Sequence, residues 1–148
     1  MTLMKSSPTT LLIVLLTLGI SLSGISYWWL KQTYTYPEAQ QVAHQFFTHL
    51  RAQEYEQAFA LSAKPNLMAK SPQELAELAQ RECLDDQNFA WSAPPQTQGN
   101  RLRRWINGQA LDMDKVSLEF ENSCLLGVQL SKTSQGQWRV LYFGAHAG

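Results

Sequence analysis

The spacing of apolar positions along this chain changes twice, and each change marks a new kind of element. Residues 9–30, TTLLIVLLTLGISLSGISYWWL, hold no charged side chain. At 1.5 Å per residue such a run crosses a hydrocarbon layer of about 30 Å, which predicts a transmembrane helix over 9–30. Tyr27, Trp28 and Trp29 stand at its far end, where amphipathic rings favour the headgroup level, and Lys31 closes it. The competing reading is a cleaved signal peptide, with residues 11–20 as its apolar region and Ser21-Leu22-Ser23 as a small-residue cleavage site. Hydrophobicity resumes after Ser23 and runs into the aromatic belt, so a retained anchor is the expectation. No Cys stands directly after the apolar region, which removes a lipoprotein signal.

Beyond a short linker, 31–36, the period becomes helical. Thr35-Tyr36-Pro37-Glu38 fits a capping box, with Thr35 as N-cap and Pro37 in the first turn. Ala39, Val42, Ala43, Phe46, Phe47 and Leu50 then follow the i, i+3, i+4, i+7 rule, a stripe that must be buried. A second helix is predicted over 54–61, with Tyr55, Ala58 and Phe59 inward, broken by Lys64-Pro65-Asn66. Ser71-Pro72-Gln73-Glu74 is another capping box. It opens a third helix with Leu75, Leu78 and Ala79 on one face and Cys83 a turn further along that face.

After Asp86 the period drops to two. A short strand is predicted at 88–92, a loop at 94–100, and a strand at 101–106 that turns at the hairpin dipeptide Asn107-Gly108. Val116, Leu118 and Phe120 alternate with polar residues, as do Cys124, Leu126, Val128 and Leu130, and Trp138, Val140 and Tyr142 finish the sheet. Helices first and antiparallel strands afterwards predict an α+β fold, a curved antiparallel sheet covered on one face by helices. The expected organisation is a cytoplasmic tail (1–8), the span (9–30), the linker (31–36), an extracytoplasmic α+β domain (37–143) and a flexible tail (144–148).

This order of elements resembles the nuclear-transport-factor-2-like superfamily, the cystatin-like α+β cones. The likeness runs over residues 37–143 and lies in the helix AQQVAHQFFTHL, the adjoining EYEQAFALS and the closing GQWRVLYF. It is a likeness of pattern and carries no catalytic signature. The resemblance implies isomerases and dehydratases, ligand-binding modules or assembly domains. Some members are single-pass inner-membrane proteins of bacterial secretion systems with the cone in the periplasm, an arrangement similar to this one.

Composition narrows the function classes. Twelve basic and twelve acidic residues cancel, and after Lys31 ten basic residues face twelve acidic ones, which argues against phosphate neutralisation on nucleic acid. Charged residues at 16% are too few, and aromatic residues at 11% too many, for a disordered chain. Cys83 and Cys124 are the two cysteines, both in the C-terminal part and without any C-x-x-C. Each falls on an inward face of its element, so in an oxidising compartment they can bridge, which stabilises a loop of this size by about 4 kcal/mol. The alternative is two free buried thiols. The short tail before the span favours a cytoplasmic N-terminus and hence an extracytoplasmic domain.

No residue set demands a cofactor. His44 and His49, five apart, lie on different sides of a helix and make no metal pair; both read as surface residues, and His146 as part of the tail. A cone-type isomerase would need a carboxylate base among Asp85, Asp86, Asp112 and Asp114 with Tyr55 or Tyr142 as donor, yet surface turns explain these carboxylates as well. Motifs of hydrolases, zinc proteases and nucleotide enzymes are missing from the sequence. Arg101, Arg103 and Trp105 would share one face of the predicted strand, a basic aromatic surface fit for an acidic partner or anionic headgroups; a solvated strand face is the plainer reading. The expected function is a membrane-anchored binding or scaffold domain, held by lipid through 9–30 and meeting a protein partner in the cell envelope. The alternative is a small-molecule pocket of the isomerase type, which an interior filled by Phe46, Phe47, Trp91, Phe120 and Trp138 would leave no room for.

Overall fold

The apolar run at the N-terminus forms one uninterrupted helix, α1 (Pro8–Lys31), whose side chains from Leu11 to Trp29 stand exposed all round. It is long and apolar enough to cross a membrane. The computed structural model describes residues 8–82, 84, 88–121 and 126–145. Behind α1 come β1 (Thr33–Tyr34), α2 (Pro37–Arg51), α3 (Tyr55–Ala60), α4 (Pro72–Ala79), β2 (Asn88–Ala93), β3 (Gln96–Thr97), α5 (Gln98–Ile106), β4 (Lys115–Glu121), β5 (Leu126–Lys132) and β6 (Trp138–Ala145). The fold is α+β with antiparallel sheets.

The predicted stripe of α2 is buried at Ala39, Ala43, Phe46, Phe47 and Leu50. Its N-terminus differs from the expected capping box. Pro37 occupies the first helical position, so the cap falls on Tyr36 rather than Thr35, and no side chain caps the helix. Tyr36 sits in the left-handed region at φ +50°, a conformation costly for an aromatic residue, and offsets that cost by burying its ring. At the other end Gln53, at φ +59°, closes α2: its N–H donates to the Leu50 carbonyl, and that of Glu54 to His49. The His49 imidazole meets the Glu54 carboxylate across this turn at 2.6 Å. The cap of α4 is as predicted, since the Glu74 N–H donates to Ser71 Oγ, while the Glu74 carboxylate reaches back to the Lys70 N–H at 2.7 Å.

The main sheet has the order β2-β4-β5-β6, every neighbour antiparallel. Val116, Leu118, Phe120, Leu126, Val128, Leu130, Trp138 and Val140 point to the helix side, as their alternation predicts. Two bulges then re-aim the edges. Leu141 has no partner between the pairs Leu130↔Val140 and Gln129↔Tyr142, so Phe143 turns inward and Tyr142, expected inside, stands 46% exposed. Ala90 is likewise extra on β2, which places Trp91 opposite Glu119 on the outer face, 47% exposed, instead of in the interior. Along β6 the edge is covered: Ala63 and Leu67 donate N–H groups to the Val140 and Leu141 carbonyls.

Between α2 and the sheet the rings of Phe46, Phe47, Phe89, Phe120 and Phe143 meet edge-to-face, centroids 5.3 to 6.2 Å apart. Phe47 touches three of the others, so Phe47→Ala should destabilise the fold by about 3–5 kcal/mol. Trp91→Ala should cost less than about 1 kcal/mol, since that ring stands half in solvent. Urea denaturation of both variants checks the contrast, and equal losses would show that the interior is not the ring cluster described.

Candidate functional site

A second, smaller layer joins α1 to the sheet. Almost no linker exists: one residue, Gln32, separates α1 from β1, and β1 pairs with β3 through Thr33↔Thr97 and Tyr34↔Gln96. The Gln98 N–H donates to the Gln32 carbonyl at 2.9 Å. This pairing delivers α5 against the last turn of α1, where a Cβ on Gly99 would come within 3.0 Å of the Leu30 carbonyl oxygen. A side chain at 99 would push against the Leu30 backbone, and glycine lets the two backbones approach without that pressure.

Residues 101–106 are therefore helical, not the strand their alternation predicted. Thr97 caps α5 by accepting the Asn100 N–H on its hydroxyl. Asn107-Gly108 is the helix stop rather than a hairpin turn. Gly108 takes φ +68°, its N–H donates to Trp105, and the Gln109 N–H donates to Arg104, a Schellman end. The helix separates the residues that a strand would have grouped. Arg101 turns toward the domain, Arg103 toward solvent, and Trp105 lies 63% exposed beside Leu102 and Ile106.

Arg101 enters an ion cluster. Asp112 Oδ1 forms an ion pair with Arg101 Nε at 3.2 Å, without hydrogen-bond alignment, and Asp112 Oδ2 accepts a hydrogen bond from Lys132 Nζ at 3.3 Å. It is half-buried and paired, in contrast to the wet surface expected of it, while Asp114 is exposed. The Arg101 guanidinium lies 3.6 Å over the Tyr34 ring, and Lys132 lies 5.1 Å from the Trp138 ring centre. Tyr34, Tyr36 and Trp138 meet edge-on at 5.1 and 6.1 Å. The buried Tyr36 hydroxyl donates to Gln96 Oε1 at 2.6 Å, and Gln96 Nε2 donates to the Leu111 carbonyl. Burial is the main cause that raises both phenols above the ordinary tyrosine value, the Asp112 carboxylate adds to it, and the Arg101 charge opposes it.

The outer face of the main sheet holds a second feature. A groove of about 160 Å³ is lined by Ser117, Glu119, Gly127, Val128, Gln129 and Tyr142. Its floor is low because Gly127 and Gly144 follow Glu119 along one cross-strand row that begins at Trp91. Tyr142 leans over Gly144, its hydroxyl 2.8 Å from where a Cβ would be.

Among the described residues no group of three or more His, Cys, Asp or Glu is placed to hold a metal. Cys83, Cys124, Asp85, Asp86 and His146 lie outside the described residues. Tyr27, Trp28 and Trp29 are exposed at the α5 end of α1, with Lys31 4.9 Å from the Tyr27 ring centre. Sequence reasoning put Leu102 and Ile106 with Arg104 on one face of the expected strand and missed them as a helical pair, although their i, i+4 spacing after Thr97 was a usable helix signal. It also missed Tyr34, Tyr36, Gln96 and Lys132, for which periodicity gives no sign. Compared with known proteins, the chain matches no family model, no curated protein and no solved structure.

The phenols fix an alkaline limit. A group whose pKa is raised by folding contributes stability that is complete below its unfolded value, about 10 for tyrosine, and is lost as pH rises through the folded one. Denaturation midpoints should hold steady to about pH 10 and then fall. In Tyr36→Phe the fall should be shallower and the neutral-pH stability lower by about 1–3 kcal/mol, because Gln96 loses its donor. An unchanged alkaline slope would remove Tyr36 from the account.

Proposed function

We propose that this chain is a single-pass membrane protein whose α+β domain, a nuclear-transport-factor-2-like cone, binds a protein partner in the cell envelope from the extracytoplasmic side. The observation that carries the reading is the distribution of apolar surface. α1 exposes its large apolar side chains all round, whereas the domain behind it gathers most of its own into one core and leaves a few outside it, Trp91, Trp105, Ile106 and Tyr142 among them. In α1 the hydroxyls of Thr17, Ser21 and Ser23 donate to carbonyls one turn back, which is how such groups are satisfied in lipid. The aromatic belt at Tyr27, Trp28 and Trp29 supports a retained anchor over a cleaved leader.

Binding is favoured over small-molecule turnover because rings fill the space between helices and sheet where a cone enzyme would hold its substrate. Trp105 and Arg103 stay at the surface, Arg103 Nη2 donating to Asn100 Oδ1 at 3.2 Å, whereas Arg101 is turned inward to Asp112. The outer sheet face adds Trp91 and Tyr142, residue types that dominate interface energetics. Crosslinking in intact membranes followed by identification of the attached species tests the reading. Trp91→Ala should weaken recovery of the partner about tenfold or more with the fold intact. Attachment to lipid and to other copies of the chain alone would count against a partner. A C-terminal reporter active only in the cytoplasm would overturn the orientation.

The two cysteines fit the same compartment. Glu82, one residue before Cys83, accepts the Ala145 N–H at 2.7 Å, and Ala145 is the strand partner of Leu126, two residues after Cys124. The flanks of both cysteines thus converge on the end of β6, which supports a disulfide between them. Replacing both by Ala should lower stability by about 2–4 kcal/mol, and reductant should do the same to the natural chain. Two alkylatable thiols with unchanged stability would sink the pairing.

A further inference from the structure

We infer that α5 is an interfacial helix, lying in the headgroup layer of the same bilayer that holds α1; the inference rests on α1 being a membrane anchor. The starting observation is an uncovered stripe. Over a helix advancing about 100° per residue, Gly99, Leu102 and Ile106 fall on one side of α5, and Arg101 and Arg104 on the other. The Arg side belongs to the domain: Arg101 meets Asp112, and Arg104 Nε donates to the Ala110 carbonyl at 2.8 Å. The Gly99 side is pressed against Leu30 at the end of α1. Leu102 and Ile106 continue that side beyond the contact, and Ile106 is 69% exposed.

What covers the stripe follows from where it starts. α5 begins at the last turn of α1, next to Trp28 and Trp29, and its nine residues run about 13 Å from that point. A helix held at the exit of a span, apolar on the side facing that exit, meets the lipid interface before any soluble partner. Trp105 and Arg103 flank the stripe on its two sides. Those are the residue types that settle at this depth, an indole at the headgroup level and an arginine whose stem lies in the apolar layer while its charge reaches phosphate. Arg101 and Arg104 are turned to the domain, but Arg103 stands beside the stripe, α5 holds no acidic residue, and Lys31 adds a cation at the end of α1, so the complementary surface is anionic.

The experiment uses the full chain in phosphatidylcholine vesicles with and without phosphatidylglycerol, carrying lipids brominated either near the headgroup or deep in the tails. The Trp105 component is the difference between the natural chain and Trp105→Phe; the belt component is the difference from Trp28→Phe/Trp29→Phe. The expected result is a blue-shifted Trp105 component quenched about twofold or more by shallow bromine and less by deep bromine. Phosphatidylglycerol should strengthen the quenching, and Arg103→Gln should cancel that gain. Ile106→Glu, a change at an exposed position, should abolish the quenching while the thermal melt stays the same. A Trp105 component with water-like emission and no quenching, beside a belt component that is quenched, overturns the inference and leaves the anchor standing. Quenching that is identical in neutral and anionic vesicles overturns the anionic preference. Release of the chain by alkaline carbonate with neither component quenched overturns the anchor and the interfacial helix together.

Discussion

The carboxylate of Asp112 is the point on which the two layers of this protein are joined. One oxygen faces Arg101 from α5 and the other Lys132 from the end of β5, at 3.2 and 3.3 Å. An exposed ion pair contributes little, but these three side chains are largely withdrawn from water, and removal of one charge would leave the others unmatched. Both cations also lie over aromatic rings, Tyr34 and Trp138, that belong to β1 and β6 respectively. Electrostatic and aromatic contacts therefore run without a gap from the end of α1 to the core strands. Without Asp112, α5 would be tied to the domain mainly by the short β1–β3 pairing and the arginine at Arg104.

Much of this was legible in the chain. The α2 stripe, the two central strands β4 and β5 and the apolar helix at the N-terminus follow from periodicity, because in each the pattern runs without interruption, and the Ser71 cap follows from its capping-box spacing. The failures share a cause. The hexamer at 101–106 alternates well enough for a strand and also repeats at i, i+4, and Asn107-Gly108 serves a hairpin as well as a helix end. What decides is tertiary: Gly99 must sit on Leu30, and Arg101 must reach Asp112 eleven residues on. The bulges at Ala90 and Leu141 are equally silent, since an inserted residue shifts the register without altering the residue types around it. A single extra position moved Tyr142 out and Phe143 in, and another took Trp91 out of the core.

Those two bulges have a joint effect on the surface. Each turns an aromatic ring from the filled side of the sheet to the bare side, and glycines at 127 and 144 keep the ground between them low. The interior and the outer face of the sheet are thus built from one pool of aromatic residues, divided by register rather than by composition. A sequence pattern counts the pool but not the division.

The single residue between α1 and β1 has a mechanical consequence. A domain on a flexible stalk samples a hemisphere and finds its partners by diffusion in three dimensions, with the encounter set by linker length. Here rotation of α1 about its own axis would swing the domain with it, because one residue and the β1–β3 pairing join the two. The direction in which the Trp91 face looks is thereby tied to the rotation of α1. One residue added to or removed from α1 would turn that face by about 100° about the helix axis.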